Sequence, residues 1–112
     1  MYAIGRFFQK DSSILTYARL GLEVSFEDFR LESIELFLDP KNYYRESITG
    51  IKVKGCCPRF QHPKNGVITL TPELDLDGLI RLIGTYFTFG DLQLDCELYN
   101  KSHLTSVNLY LP

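Results

Sequence analysis

The sequence predicts an α+β fold, a mainly antiparallel, curved sheet of about six to eight strands with one principal helix over about 72–87. Three observations predict it. Apolar and polar residues alternate at period two along most of the chain, the pattern of strands with one wet face. A single stretch, Leu76, Leu79, Ile80, Ile83 and Phe87, repeats instead at helical spacing. Many strands with one late helix do not make the repeated strand-helix-strand units of a parallel sheet. A small β-barrel or sandwich with one helix plugging its end is the alternative architecture.

The chain has 112 residues, 45% apolar and 23% charged, with a mean hydropathy of -0.07 and no Trp. That composition describes one globular domain over 1–112, large enough to bury a core without a metal or disulfide. No internal repeat is present.

Met1 to Phe8, with Tyr2, Ile4, Phe7 and Phe8, reads as a first strand, and Lys10 to Ser13 as a turn. Ile14 to Gly21 fits either a strand or a short helix capped by Ser13. Leu22, Val24 and Phe26 alternate with Glu23 and Ser25, which predicts a strand with its acid in water. In Leu31 to Leu38 the same alternation sets Ile34, Leu36 and Leu38 against Ser33, Glu35 and Phe37. Asp39-Pro40 ends that strand, since proline lacks a ladder donor. A polar loop follows over 40–47 with Tyr43 and Tyr44 in solvent. Ile48 to Gly55 reads as a further strand, Ile51 and Val53 inward.

Cys56 to Leu70 contains Pro58, Pro63 and Asn65-Gly66, which predicts an edge hairpin reversing at about His62 to Gly66. Thr71-Pro72-Glu73 has the makings of a helix start, a hydroxyl cap followed by a proline and a carboxylate. The helix then runs to about Tyr86. The last quarter forms a hairpin of Leu92, Leu94, Cys96 and Leu98 with Thr105, Val107, Leu109 and Leu111. Pairing Tyr99 with Leu104 across a four-residue loop sets Leu94 opposite Leu109 and Cys96 opposite Val107. Gln93, Asp95, Glu97, Ser106, Asn108 and Tyr110 then share the wet face.

The net charge of -2 conceals segregation. Residues 1–40 carry -3, residues 41–70 carry +5 and residues 71–112 carry -4. A pI of about 5.6 does not suit a nucleic-acid binder driven by overall charge. The basic stretch does offer Lys41, Arg45, Lys52, Lys54, Arg59 and Lys64 interleaved with aromatics, so Lys52, Lys54, Arg59 and Lys64 carry an alternative nucleic-acid reading. Arg6 and Lys10 interrupt any apolar run near the start, and no stretch is long enough to cross a membrane. With three cysteines, an odd number that includes the neighbours Cys56 and Cys57, the expected compartment is a reducing cytoplasm.

Chemistry-bearing constellations are sparse. Cys56, Cys57, His62, Cys96 and His103 are zinc-ligand types without the paired spacing of a structural zinc site, so no metal and no cofactor are expected. Cys57 sits among Lys54, Arg59 and His62, an electropositive setting for a thiolate, but in a segment expected to be an edge. Asp75/Asp77, Asp95/Glu97 and Glu32/Glu35 pair carboxylates without a sign that one is buried, and no phosphate-loop, nucleophile-elbow or zinc-protease motif occurs. An enzyme of unidentified activity would need a pocket between sheet and helix lined by Tyr86, Phe87 and Cys96.

Surface recognition remains. Glu32, Glu35, Asp95, Glu97, Asn108 and Tyr110 combine carboxylates with a tyrosine, which suits a basic protein partner. Small acidic domains without motifs include bacterial immunity proteins, which neutralise a toxin by covering its active site. The expectation is a non-enzymatic protein-binding domain of that kind, monomer or dimer, acting on a cationic, nuclease-like partner. An assembly subunit pairing through an edge strand at Met1 to Phe8 is a further possibility.

Overall fold

A computed structural model describes residues 4–9, 12–43, 47–84, 88–89 and 92–111. Its elements in chain order are β1 (Ile4–Gln9), β2 (Ser12–Tyr17), β3 (Leu22–Glu27), β4 (Arg30–Phe37), β5 (Arg59–His62), β6 (Gly66–Thr69), α1 (Leu76–Ile83), β7 (Thr88–Phe89), β8 (Leu92–Tyr99) and β9 (His103–Tyr110). Seven strands form one antiparallel sheet in the order β1-β2-β3-β4-β9-β8-β7, and β5-β6 form a separate ribbon. The fold is α+β, and the sheet stays open with β1 and β7 at its edges, which removes the barrel alternative. Among the described residues no helix is long and apolar enough to cross a membrane.

The first four strands are a meander. Ile14 to Tyr17, undecided from sequence, is strand throughout, because Leu15 and Tyr17 fall opposite Val24 and Leu22 and extend the apolar face. The chain then returns over a long excursion, and β9 adds to β4 with Ile34 opposite Leu109 and Leu36 opposite Val107. That face is covered by α1 and the ribbon. Leu36, Leu38, Leu104, Val107 and Leu109 from the sheet side meet Phe60, Ile68, Leu70, Leu79 and Ile83 in one core. Burying each such side chain contributes about 1.5–3 kcal/mol before chain entropy is counted.

The helix is shorter than its periodicity suggests. Asp75, in extended conformation, is the N-cap, its Oδ1 accepting from Gly78 N at 2.7 Å, with Asp77 in the first turn. Thr71 and Pro72 lie outside it, in a turn closed by Leu74 N donating to Thr71 O at 3.3 Å. Leu76 N is already spent on Lys101 O at 2.9 Å, so no helical hydrogen bond extends back across Asp75. Gly84, at φ 79°, closes the other end and donates to Ile80 O. Tyr86 and Phe87 lie outside the described residues. Asn65 Nδ2 donates to Leu82 O at 2.8 Å, tying the ribbon's turn to the helix end.

Two further expectations are corrected. Ile48 to Gly55 is not a strand; it crosses with isolated bonds, Lys54 N to Ala18 O and Cys56 N to Phe37 O, each 2.8 Å. The β8–β9 turn also differs by one residue. Leu94 does face Leu109 and Cys96 faces Val107, but Tyr99 pairs with His103 and the ladder shifts between Glu97 and Leu98. Thr105 occupies that bulge, its Oγ1 donating to Glu97 O at 3.1 Å, so the loop needs only three residues. Asn100 and Lys101 take it round at φ 48° and 60°.

Positive φ matters at two more places. The β3–β4 turn is Asp28-Phe29, at φ 51° and 62°, the mirror-image turn that matches hairpin twist. An L-residue with a side chain pays about 1–2 kcal/mol for that backbone. Gly21, at φ 73°, lies where an added Cβ would run into the Lys54 carbonyl, so the crossing segment approaches to backbone contact. Gly21→Ala is therefore expected to cost about 2 kcal/mol or more, read as a lower urea midpoint at unchanged slope.

Candidate functional site

Cross-strand partners share a face, so the register assigns every side chain to one side of the sheet. The side opposite α1 carries a polar row: Thr16, Glu23, Glu35, Asn108 and Asp95 from β2, β3, β4, β9 and β8. Ile14, Ser25, Ser33, Tyr110 and Gln93 form the next row toward the β3–β4 turn. Phe37, Ser106 and Glu97 form the row on the other side. Glu35, Asp95, Glu97, Asn108 and Tyr110, five of the residues singled out from sequence, thus lie together. Asp95 and Glu97 are exposed, and Glu35, Asn108 and Tyr110 half-buried.

Glu32 does not join them. It occupies the bulge where the β3–β4 register shifts and stands outside the Glu35 row. It lines an open depression of about 530 Å³ with Glu27, Asp28, Arg30, Leu31 and Leu111. Glu32 and Glu35 are three residues apart, so alternation alone sets them on opposite sides, and the bulge leaves Glu32 unpaired between Leu31 and Ser33.

The face is not wet throughout. Glu23, expected in water, is only 4% exposed, and Thr16, Ser47 and Thr49 around it are buried too. Its Oε2 accepts from Thr16 Oγ1 at 2.8 Å and its Oε1 from Ile48 N at 3.1 Å, while Thr49 Oγ1 lies 2.6 Å from Thr16 Oγ1. Ser47 Oγ reaches Thr49 Oγ1 at 3.0 Å and also bonds the Ile51 amide and carbonyl. A buried carboxylate must find donors inside the protein, and Thr16 of β2 supplies one while the Ser47–Ile51 loop supplies the others by folding over this end of the face. Phe37 and Ser106, also expected outside, are buried in the adjoining row. Period-two patterning cannot reveal this, since the covering loop lies 25 residues along the chain from the glutamate it meets.

The basic residues are dispersed by comparison. Lys52 and Lys54 project from the crossing segment, Arg59 from the start of β5 and Lys64 from the ribbon's turn, all exposed. Tyr44 and Arg45 lie outside the described residues. Tyr43 is half-buried rather than in solvent, packed on Tyr99 and His103 with ring centroids 5.2 Å apart in each pair. Burial and the Asp39 carboxylate push its hydroxyl pKa up. Acids beside this aromatic cluster oppose phosphate binding there.

The cysteine and histidine geometry is plain. His62 Nδ1 accepts from Lys64 N and Asn65 N, both at 3.1 Å, which caps the ribbon's turn. No three His, Cys, Asp or Glu side chains converge among the described residues. Burial raises the Cys56 thiol from 9.0 to about 11, helped by Cys57 and opposed by a hydrogen bond from the Phe37 backbone. Burial and Asp95 likewise raise Cys96 to about 11. Neither holds a thiolate near neutrality, the state a nucleophile needs. Asp75 and Asp77 serve the helix end, as above.

No protein-family model, curated protein or solved structure matches the chain.

Three outcomes are expected. Glu23→Ala leaves the Thr16 hydroxyl and the Ile48 amide without their acceptor, costing about 2–4 kcal/mol in denaturant unfolding. For the thiols, a folded pKa above the unfolded one means the native state keeps more protons between pH 9 and pH 11. Stability contributed by the protonated thiols is present below pH 9 and declines toward pH 11. Iodoacetamide at pH 8 is expected to modify exposed Cys57 well before Cys56 and Cys96, checked by peptide mass mapping.

Proposed function

We propose that this chain is a non-enzymatic protein-binding domain that covers a basic surface of its partner with the acidic face of its sheet. The reading follows the logic of bacterial immunity proteins, with a cationic, nuclease-like toxin as the partner and the cytoplasm as the place of action. The supporting observation is the convergence of Glu35, Asp95 and Glu97 with Asn108 and Tyr110 on the face away from the helix. These acids come from two separate acidic stretches of the chain and add their potentials at one surface. A negative patch of this kind accelerates encounter with a positive one and rejects acidic partners. Tyr110 supplies amphipathic area at little entropic cost, as interface tyrosines do.

The test uses the product of the neighbouring reading frame, since an immunity protein is normally encoded beside its toxin. Titration calorimetry is expected to give a one-to-one complex whose association rate falls with salt. Asp95→Lys and Glu97→Lys are each expected to weaken it by about 10-fold or more, while leaving the melting temperature unchanged. A basic neighbour that does not bind, or binds both variants as tightly as the parent, overturns the reading. Mobility shift of labelled oligonucleotides at low salt, abolished by Lys52→Glu with Lys54→Glu, would move the function to the basic segment.

A further inference from the structure

The β3–β4 turn carries an aromatic side chain that the fold does not use. Phe29 is 86% exposed and sits in left-handed backbone at φ 62°, next to Asp28 at φ 51°. Asn-Gly would satisfy this turn without strain, so both the backbone and the solvent-exposed ring work against stability. Strained, exposed and bulky is the combination expected of a residue kept for contact with something else.

Its surroundings say what that something is. Glu27 and Arg30 pair across the hairpin, and Glu27 follows Glu23 and Ser25 in alternation on β3, so the hairpin tip continues the polar face. Among the described residues, Glu27, Asp28 and Glu32 are exposed beside Phe29 together with the cation Arg30. The open depression beside the turn is lined by Glu27, Asp28, Arg30 and Glu32 together with Leu31 and Leu111, the last 49% exposed. An exposed apolar ring beside a cluster of carboxylates complements a basic surface that has an apolar niche. The same carboxylates repel anionic lipid headgroups and a second copy of this turn.

We propose that the Asp28-Phe29 turn is an anchoring finger, Phe29 entering an apolar niche of a basic protein while Glu27, Asp28 and Glu32 meet the cations around it. The proposal rests on the protein-binding reading above and adds the element that penetrates deepest. The tip lies four residues along β3 from the Glu23 row, about 13 Å away, so one partner of ordinary size spans both.

A photoreactive benzophenone amino acid placed singly at positions 29, 95 and 67 tests it in the native host, Val67 being an exposed apolar control on the ribbon. The expected result is an adduct with the same basic protein from positions 29 and 95 and none from 67. The complex of that protein with the parent chain is then purified and compared with Phe29→Gly and Phe29→Ala. Phe29→Gly is expected to raise the melting temperature by a few degrees and to weaken binding about 100-fold. An adduct from 95 alone, or wild-type affinity in Phe29→Gly, overturns the finger and leaves the acidic face standing. An adduct from 29 alone supports the finger and removes the face. No protein adduct, equal adducts from all three positions, or adducts only with a second copy or with lipid overturn the finger together with its stated partner. A lowered melting temperature in Phe29→Gly would assign the ring to folding instead.

Discussion

The pairing of β4 with β9 is the contact on which the rest of this structure depends. It joins a local meander to a hairpin some seventy residues further on, and sets Ile34 against Leu109 and Leu36 against Val107. Without it neither half has enough apolar face to bury α1 and the ribbon, since a few strands alone make only marginal cores. The loop-closure entropy of such a join grows slowly with length, whereas the core it assembles is large. The same ladder sets Glu35 against Asn108, which faces Asp95. One set of backbone hydrogen bonds thus builds the core on one side and gathers the acids on the other.

The second constraint is the buried carboxylate of Glu23. It divides the polar face into a closed end under the Ser47–Ile51 loop and an open end at β4, β9 and β8. A buried carboxylate is costly, and among the described residues three internal donors, Thr16 Oγ1, Ile48 N and Thr49 Oγ1, make it tolerable. Because two of those donors, the Ile48 amide and the Thr49 hydroxyl, come from the loop, the loop's position is specified as well. The basic middle third is thereby drawn over the sheet as a crossing segment and a ribbon, with Lys52, Lys54, Arg59 and Lys64 left at its surface.

Much of the fold is legible in the sequence. The alternation in β8 and β9 yields the pairing of Leu94 with Leu109 and Cys96 with Val107, and the His62–Gly66 reversal follows from its turn residues. The errors share one cause. Thr71 and Pro72 are a good helix start locally, yet Asp75 caps the helix because Leu76 N is bonded to Lys101 O. Ile48 to Gly55 alternates like a strand, yet finds no neighbour to pair with along its length. Glu32 and Thr105 sit at bulges, which shift register by one and are invisible to a period-two count. Phe29 carried no signal at all, because exposure and backbone sign at a turn depend on how the two strands meet.

By itself the sequence determined the class of fold, the helix's buried stripe of Leu79 and Ile83, the C-terminal hairpin and the shared face of Asp95, Glu97, Asn108 and Tyr110. Those properties follow from side-chain period and local turn chemistry, which act over a few residues. Only the tertiary structure decided that Glu35 joins them, that Glu32 falls in a bulge, that Glu23 is enclosed and that Phe29 stands out in solvent. Each of those outcomes is set by a partner distant in the chain or by a one-residue shift in register, and neither leaves a mark on local periodicity.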